Sequence, residues 1–86
     1  MKYTRHEEGI RAFGHQLRKL RKAKGLTQEQ LANEADLEIS QISRIERGVI
    51  STSISQVFQI AFALKIHPKT LFDFTWPTET DFDPRG

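Results

Sequence analysis

Residues 27–48 constrain the fold more than any other part of this chain, because they contain two short helix patterns separated by only two residues. The first pattern begins at Thr27 and has Gln30 three positions later, which is the spacing of a capping box at a helix N-terminus. A stripe of leucine and alanine follows it. Asp36 and Leu37 remain to connect this pattern to the next. The sequence therefore predicts two helices joined by a tight turn.

The second helix of this pair has two different faces. Ile42 and Ile45 lie on one side at helical spacing and are predicted to face the core. The opposite side is polar, with Ser40, Ser43, Arg44 and Arg47. Hydroxyl and guanidinium groups on an outer helix face suit the edges of base pairs in the major groove of DNA. The two helices therefore have the form of a helix-turn-helix.

The spacing of apolar, glycine and charged residues along most of the chain matches a known family. The matching positions are Phe13, Gly14, Leu17, Arg18, Leu20, Arg21, Gly25, Leu26, Thr27, Gln28, Leu31, Ala32, Leu37, Ile42, Ser43, Arg44, Ile45, Glu46, Arg47, Gly48, Ile60, Ala61, Leu64, Leu71 and Phe72. Over roughly residues 12–74 the chain resembles the Cro and phage-repressor type of regulator, called the XRE family. The resemblance implies an all-α fold, a compact five-helix bundle of the lambda-repressor-like DNA-binding class.

Two positions depart from the pattern of this family. Asp36 stands in the turn where glycine is common, and Lys65 stands where a glycine is expected after the fourth helix. Aspartate tolerates a positive φ angle better than most residues do. We therefore expect Asp36 to form the same turn, and neither departure changes the predicted fold.

The length and composition indicate one small domain. A chain of 86 residues buries a small core, which dimerisation would supplement. Because there is no cysteine, disulfides and thiolate metal sites are excluded. No apolar run is long enough for a membrane span or a signal peptide. We therefore expect a cytoplasmic protein with no membrane partner.

The net charge of +2 is unevenly distributed along the chain. The segment 11–24 contains no acid and six bases, which are Arg11, Arg18, Lys19, Arg21, Lys22 and Lys24. The segment 75–86 carries Glu79, Asp81 and Asp83 against Arg85. A basic helix can be merely solvated, but beside a helix-turn-helix it is better interpreted as a surface that attracts phosphate.

Three segments are predicted from these patterns: a flexible N-terminal arm at 1–8, a helix-turn-helix domain at 9–74, and an extended or disordered acidic tail at 75–86. The predicted helices of the domain span residues 9–24, 28–35, 39–47, 54–65 and 68–74. Ser53 and His67 are the expected N-caps of the last two.

The fourth helix has more apolar surface than one buried face needs. Its predicted inner stripe consists of Ile54, Val57, Ile60, Ala61 and Leu64. Phe58 and Phe62 lie four residues apart beside that stripe. They could pack under the fifth helix or the tail, against Phe74 or Trp76. A two-fold homodimer needs one apolar patch that pairs with itself, and we prefer an interface of Phe58, Phe62 and Phe74.

Base contacts are predicted for the start and the outer face of the third helix. Arg44 has a planar fork that matches guanine O6 and N7, and Gln41 can pair with adenine N6 and N7. Ser40 is small enough to let the helix approach the bases, and Ile39 offers an apolar contact to a thymine methyl. The resemblance places these four residues at positions that touch base edges.

Phosphate contacts are predicted for residues around the motif, namely Lys24, Gln28, Ser43 and Arg47. Gln28 lies at a helix start, where free N–H groups favour an anion. Glu38 is predicted to cap the third helix, because a carboxylate there suits the helix dipole but repels phosphate. The resemblance also implies a structural ion pair between Arg21 and Glu46, which would be costly to break.

The residues exclude most other functions. The histidines are scattered, no carboxylates are paired among apolar residues, and no phosphate loop follows a strand, so neither an enzyme nor a metal site nor a cofactor is indicated. The sequence predicts a small homodimeric transcriptional regulator that occupies a near-palindromic operator, as a repressor or as an activator that touches RNA polymerase. The alternative is an antitoxin or another protein-binding module that binds a partner protein, such as a toxin, and its own promoter, and the acidic, aromatic tail with Trp76 and Phe82 is the feature that supports it.

Overall fold

The computed structural model describes residues 5–76, which form four α-helices and one 3-10 helix and no strand. The α-helices are α1 (Glu7–Ala23), α2 (Gln28–Ala35), α3 (Ile39–Glu46) and α4 (Ile54–Leu64), and the 3-10 helix spans Pro68–Phe72. The all-α helix-turn-helix fold is confirmed. The fifth helix is corrected from an α-helix ending near Phe74 to a 3-10 helix ending at Phe72, so the bundle has four α-helices. No described helix is both long and apolar enough to cross a bilayer.

The start of α1 differs from the predicted one. His6 is the N-cap, and its Nδ1 accepts a hydrogen bond from the Gly9 backbone N–H at 3.0 Å. Glu7 and Glu8 then occupy the first turn, where acidic side chains favour the helix dipole. Helix α1 therefore starts two residues before Gly9, and the predicted flexible arm at 1–8 is wrong for these two residues. Residues 1–4 lie outside the described part of the chain.

Capping residues define the starts of α2, α4 and the 3-10 helix, as the sequence predicted, whereas the side chain of Glu38 makes no capping hydrogen bond at the start of α3. Thr27 Oγ1 accepts from the Gln30 N–H at 3.0 Å, while Gln30 Oε1 accepts from the Thr27 N–H at 2.8 Å. Ser53 and Gln56 form the same reciprocal pair before α4. Such side chains satisfy N–H groups that a helix start leaves unpaired. His67 Nδ1 accepts from the Lys69 N–H at 3.0 Å and so caps the 3-10 helix.

The two departures from the family pattern both adopt the left-handed conformation that glycine would adopt. Asp36 has φ 57° and ends α2, and Lys65 has φ 59° and ends α4. At each end, the following residue donates its N–H back into the helix, with Leu37 bonded to the Ala32 carbonyl at 2.9 Å. The turn between α2 and α3 therefore closes without glycine.

Side chains from all five helices form one core. Its buried apolar members are Phe13, Leu17, Leu31, Ala32, Ala35, Ile42, Ile45, Val57, Ile60, Ala61, Leu64 and Leu71. Ile54 was predicted to belong to the inner stripe of α4, but 72% of its surface is exposed. Ile54 is the first residue of α4, and neighbouring elements do not cover this end of the helix.

Gly14 lets α1 and α3 approach each other closely. A Cβ atom at this position would overlap the Ile45 carbonyl oxygen and lie 2.9 Å from the Glu46 carbonyl oxygen. Both oxygens belong to the last turn of α3. The backbone of α1 therefore supports the end of the helix that carries the predicted base-contact residues.

Gln16 connects α1 to the C-terminal part of the fold. Its side chain is buried, and Nε2 donates to the Thr70 carbonyl at 2.9 Å and to the Asp73 carbonyl at 3.2 Å. These bonds satisfy carbonyl groups at the end of the 3-10 helix. The predicted tail at 75–86 is described only as far as Trp76, whose ring lies 5.6 Å from that of His6. Residues 77–86, including Phe82, lie outside the described part.

Candidate nucleic-acid interface

Helix α3 presents its predicted base-contact face to solvent. Ser40, Arg44 and Arg47 are exposed, and 49% of the surface of Ile39 is accessible. Ile42 and Ile45 on the opposite face are buried. The outer face is therefore free to enter a groove, while the inner face holds the helix on the core.

Gln41 has a structural role besides the predicted base contact. Its Oε1 accepts a hydrogen bond from the Glu38 backbone N–H at 2.9 Å, and the residue is half-buried. Pairing with adenine through N6 and N7 needs both the oxygen and the nitrogen of the amide. In this structure the cap uses one of the two lone pairs of Oε1. Gln41 therefore caps α3, and its base contact stays a prediction.

Arg21 and Glu46 form a bidentate ion pair between α1 and α3. Arg21 Nε lies 2.6 Å from Glu46 Oε2, and Nη2 lies 3.0 Å from Oε1. The remaining guanidinium nitrogen, Nη1, donates to the Leu26 carbonyl at 2.7 Å. Only 8% of the arginine side chain and 2% of the glutamate side chain are exposed. The hydrogen bond to Glu46 raises the pKa of Arg21, with desolvation opposing the shift.

Gln28 joins this ion pair. Its Nε2 donates to Glu46 Oε1 at 3.0 Å, so that oxygen accepts from both Gln28 and Arg21. The sequence predicted Gln28 only as a phosphate contact. One hydrogen of the Gln28 amide is bonded to the Glu46 carboxylate. The second hydrogen and the backbone N–H groups at the start of α2 remain available to an anion.

A cleft of about 420 Å³ opens between α1, α2 and α3 at this point. It is lined by Arg18, Arg21, Gln28, Ser43, Glu46 and Arg47. Ser43 Oγ accepts a hydrogen bond from Arg47 Nε at 3.2 Å. The structure therefore brings together three of the four predicted phosphate contacts. Lys24 does not line the cleft; it is exposed at the end of α1.

The structure adds Arg18 to the predicted phosphate contacts. Arg18 is exposed and lines the cleft with Arg47, so two guanidinium groups lie beside the start of α2. The signal was present in the basic segment 11–24, where Arg18 stands one helical turn before Arg21. No cluster of three side chains suited to a metal ion occurs within residues 5–76.

Comparison with known proteins identifies the architecture. A family model described as helix-turn-helix matches residues 17–71. The chain belongs to the helix-turn-helix family. This membership confirms the resemblance to regulators of the Cro and phage-repressor type. It makes the chain a DNA-binding transcription regulator and not an enzyme.

Individual relatives of this helix-turn-helix protein are regulators. Control protein C.BamHI of Bacillus amyloliquefaciens is 44% identical over 64 residues, which are 73% of this chain and 79% of the relative. The restriction-modification controller protein C.AhdI of Aeromonas hydrophila is 43% identical, with a TM-score of 0.72 over 73% of this chain and 96% of that chain. The clp gene regulator ClgR of C. glutamicum is 27% identical, with a TM-score of 0.70 over 73% and 82% of the two chains.

The helix-turn-helix protein exposes an apolar stripe on α4, away from the cleft. Its members are Ile54, Phe58 and Phe62, which lie four residues apart and are 72%, 58% and 83% exposed. The alternative that Phe58 and Phe62 pack under the 3-10 helix or Trp76 is therefore wrong for the described residues. The sequence pattern missed Ile54, because an isoleucine at the start of an apolar helix is expected to be buried.

Phe74 lies in a different part of the surface from the two other predicted interface residues. Phe74 is half-buried, and its ring packs edge-on against Trp76 at 5.9 Å. Together with Gly9, Phe13 and Phe72 they line an aromatic groove of about 460 Å³. A smaller groove between Phe72 and Ile54 connects this region to the α4 stripe. Trp76, part of the tail cited for the antitoxin alternative, is thus in contact with the domain itself.

Proposed function

We propose that this protein is a homodimeric controller of transcription that binds a near-palindromic operator with α3 in the major groove. The observation that carries the proposal is the exposed outer face of α3 beside a cleft lined by three arginines, two of them exposed. Restriction-modification control, the role named for C.AhdI, is the role we propose for this chain, because the two sequences are 43% identical. Regulation would follow from occupancy, either by blocking RNA polymerase or by contacting it.

Two classes of contact are expected at the operator, one to base edges and one to phosphates. Arg44, Ser40 and Ile39 are the proposed base contacts, since they lie on the exposed outer face of α3, and Gln41 beside them is the fourth. Phosphates would be held by the cleft, through Arg18, Ser43 and Arg47, with Gln28 at its edge and Lys24 as a separate contact. Positively charged groups on both sides of α3 would fix its depth and register in the groove.

Arg44→Ala should weaken operator binding by about 1 to 3 kcal/mol per half-site, because a bidentate bond to guanine would be lost. It should leave binding to a scrambled duplex nearly unchanged. Arg47→Ala is the matched control. Loss of Arg47 should weaken binding to both duplexes by the same factor. It should also make the slope of log affinity against log salt shallower by about 0.9. Fluorescence titrations at several salt concentrations measure both effects, and equal loss on the two duplexes for Arg44→Ala would remove this residue from base recognition.

The α4 stripe is the proposed dimer interface. Three large apolar side chains on one face form a patch that a two-fold axis can pair with itself. The groove between Ile54 and Phe72 would connect the interface to the aromatic groove, which Phe74 lines. Two copies would then present their α3 helices about one helical turn, roughly 34 Å, apart on one side of the duplex.

Phe62→Glu should convert the dimer to a monomer, because each interface would bury two carboxylates among aromatic rings without partners. Asn33→Glu adds the same charge to an exposed position of α2, outside the stripe, and should leave the dimer intact. Sedimentation velocity across a range of concentrations distinguishes the two states. If the Phe62→Glu variant dimerises with unchanged affinity, the stripe is not the dimer interface.

A further inference from the structure

Glu46 is the point where α1, α2 and α3 are joined by hydrogen bonds. Its two oxygens accept from Arg21 Nε at 2.6 Å, from Arg21 Nη2 at 3.0 Å and from Gln28 Nε2 at 3.0 Å. Gln28 is the first residue of α2 and Glu46 is the last residue of α3. The two helices of the motif are therefore connected at the end opposite their turn by a single side-chain hydrogen bond.

The position of this bond matters because α3 is short. It has eight residues, and its two ends are held differently. The Asp36 turn fixes the first end, whereas the last turn depends on Glu46 and on the close packing at Gly14. Arg44 lies two residues before Glu46 in this last turn. A small rotation there would move the guanidinium group, and recognition of a base edge tolerates little displacement.

We propose that Gln28 is a positioning residue that acts through Glu46 to hold the last turn of α3, and with it Arg44, in the orientation that discriminates between sequences. This inference rests on the proposed function of α3 in base recognition. It assigns the Gln28 side chain a role in specificity, in addition to any contact of the helix start with phosphate. The half-buried amide and its bond to a carboxylate that is 2% exposed support the assignment.

The two roles of Gln28 predict different outcomes. A residue that only contacts phosphate changes affinity by the same factor on every duplex, because phosphates carry no sequence information. A residue that positions Arg44 changes the ratio between operator and scrambled duplex. Loss of a positioning residue also makes the last turn of α3 open more often in the protein without DNA. Loss of a phosphate contact does not.

Gln28→Met keeps the length of the side chain and removes the donor to Glu46. We expect the ratio of the affinities for operator and scrambled duplex to fall roughly tenfold, the size of one hydrogen bond to a charged group, in addition to any loss that both duplexes share. Amide hydrogen exchange at Ile45 and Glu46 should become about tenfold faster in the free protein, with exchange in α4 unchanged. Gln28→Lys restores a donor that can reach Glu46, and it should keep the operator preference and the slow exchange.

Arg18→Gln is the control for a phosphate contact in the same cleft. It should lower affinity equally on both duplexes, flatten the salt dependence by about 0.9 and leave exchange in α3 unchanged. Equal losses on both duplexes for Gln28→Met, or unchanged exchange at Ile45 and Glu46, would overturn the inference. Arg44→Ala separates the two proposals: if it abolishes the preference while Gln28→Met does not, base recognition by α3 stands and only the role of Gln28 fails.

Discussion

Arg21→Ala should lower the free energy of unfolding by about 3 to 5 kcal/mol, because it leaves the Glu46 carboxylate buried without its cation. Gln28 would still donate to that carboxylate, but an amide supplies no charge. The substitution also removes the donor to the Leu26 carbonyl in the α1–α2 connection. Chemical denaturation monitored by circular dichroism measures the loss.

Lys22→Ala is the control for this substitution, since Lys22 is the exposed neighbour on the same helix. It should change stability by no more than a few tenths of a kcal/mol. Equal stability of the two variants would show that the ion pair contributes nothing net to folding. The contribution of Arg21 should not vary between neutral and mildly alkaline pH: with a raised pKa, it is lost only as pH rises through the folded-state value, above that range.

Gly14→Ala should lower the free energy of unfolding by about 3 kcal/mol or more, at the upper end of overpacking effects. The added methyl group would meet the Ile45 and Glu46 carbonyl oxygens, which are backbone atoms and cannot rotate away. To make room, α1 must separate from the last turn of α3. The Arg21–Glu46 bonds lie at the same junction and would be stretched by that movement.

The control is Gly9→Ala, in the first turn of the same helix. A Cβ at Gly9 would approach only the His6 ring at 3.1 Å and the Trp76 ring at 3.5 Å, both of which are side chains. Alanine also favours a helix over glycine by roughly 1 kcal/mol. Thermal denaturation should therefore show little change or a gain for Gly9→Ala and a large loss for Gly14→Ala. Similar melting temperatures for the two variants would contradict the close approach of α1 and α3.

The helix boundaries could be predicted from sequence because capping is a local interaction. Thr27 with Gln30 and Ser53 with Gln56 contain both partners within three residues, and both pairs form as predicted. The error at the start of α1 has a local cause as well. Histidine is an uncommon N-cap, so His6 gave no signal comparable to that of serine or threonine.

Side-chain partners were harder to predict, because one residue type can serve several roles. Gln41 stands on the third helix where a base contact is expected, yet it also stands three residues after Glu38, where it caps. Gln28 is at a helix start suited to phosphate, yet its partner Glu46 is 18 residues away. The three-residue spacing from Glu38 does indicate the Gln41 cap, but the partner of Gln28 is decided by distances in the folded chain, which spacing in sequence does not contain.

Exposure of apolar residues was predicted only in part. The α4 pattern separated Phe58 and Phe62 from the inner stripe, because they lie outside the helical spacing of Val57, Ile60 and Leu64. Ile54 fits that spacing but precedes the part of α4 that other elements cover, so it remains exposed. Periodicity identifies the direction of a side chain but not how far the neighbouring helices extend.

The exposed stripe on α4 has a consequence for how a gene under this protein would respond over time. If two copies must join through Ile54, Phe58 and Phe62 before the operator is bound tightly, the amount of active species grows with the square of the concentration while monomers predominate. The first molecules synthesised would then have little effect, and the response would become steep only after a threshold. The threshold would depend on how strongly those three side chains associate, so a substitution in the stripe could delay the switch without altering which sequence is recognised.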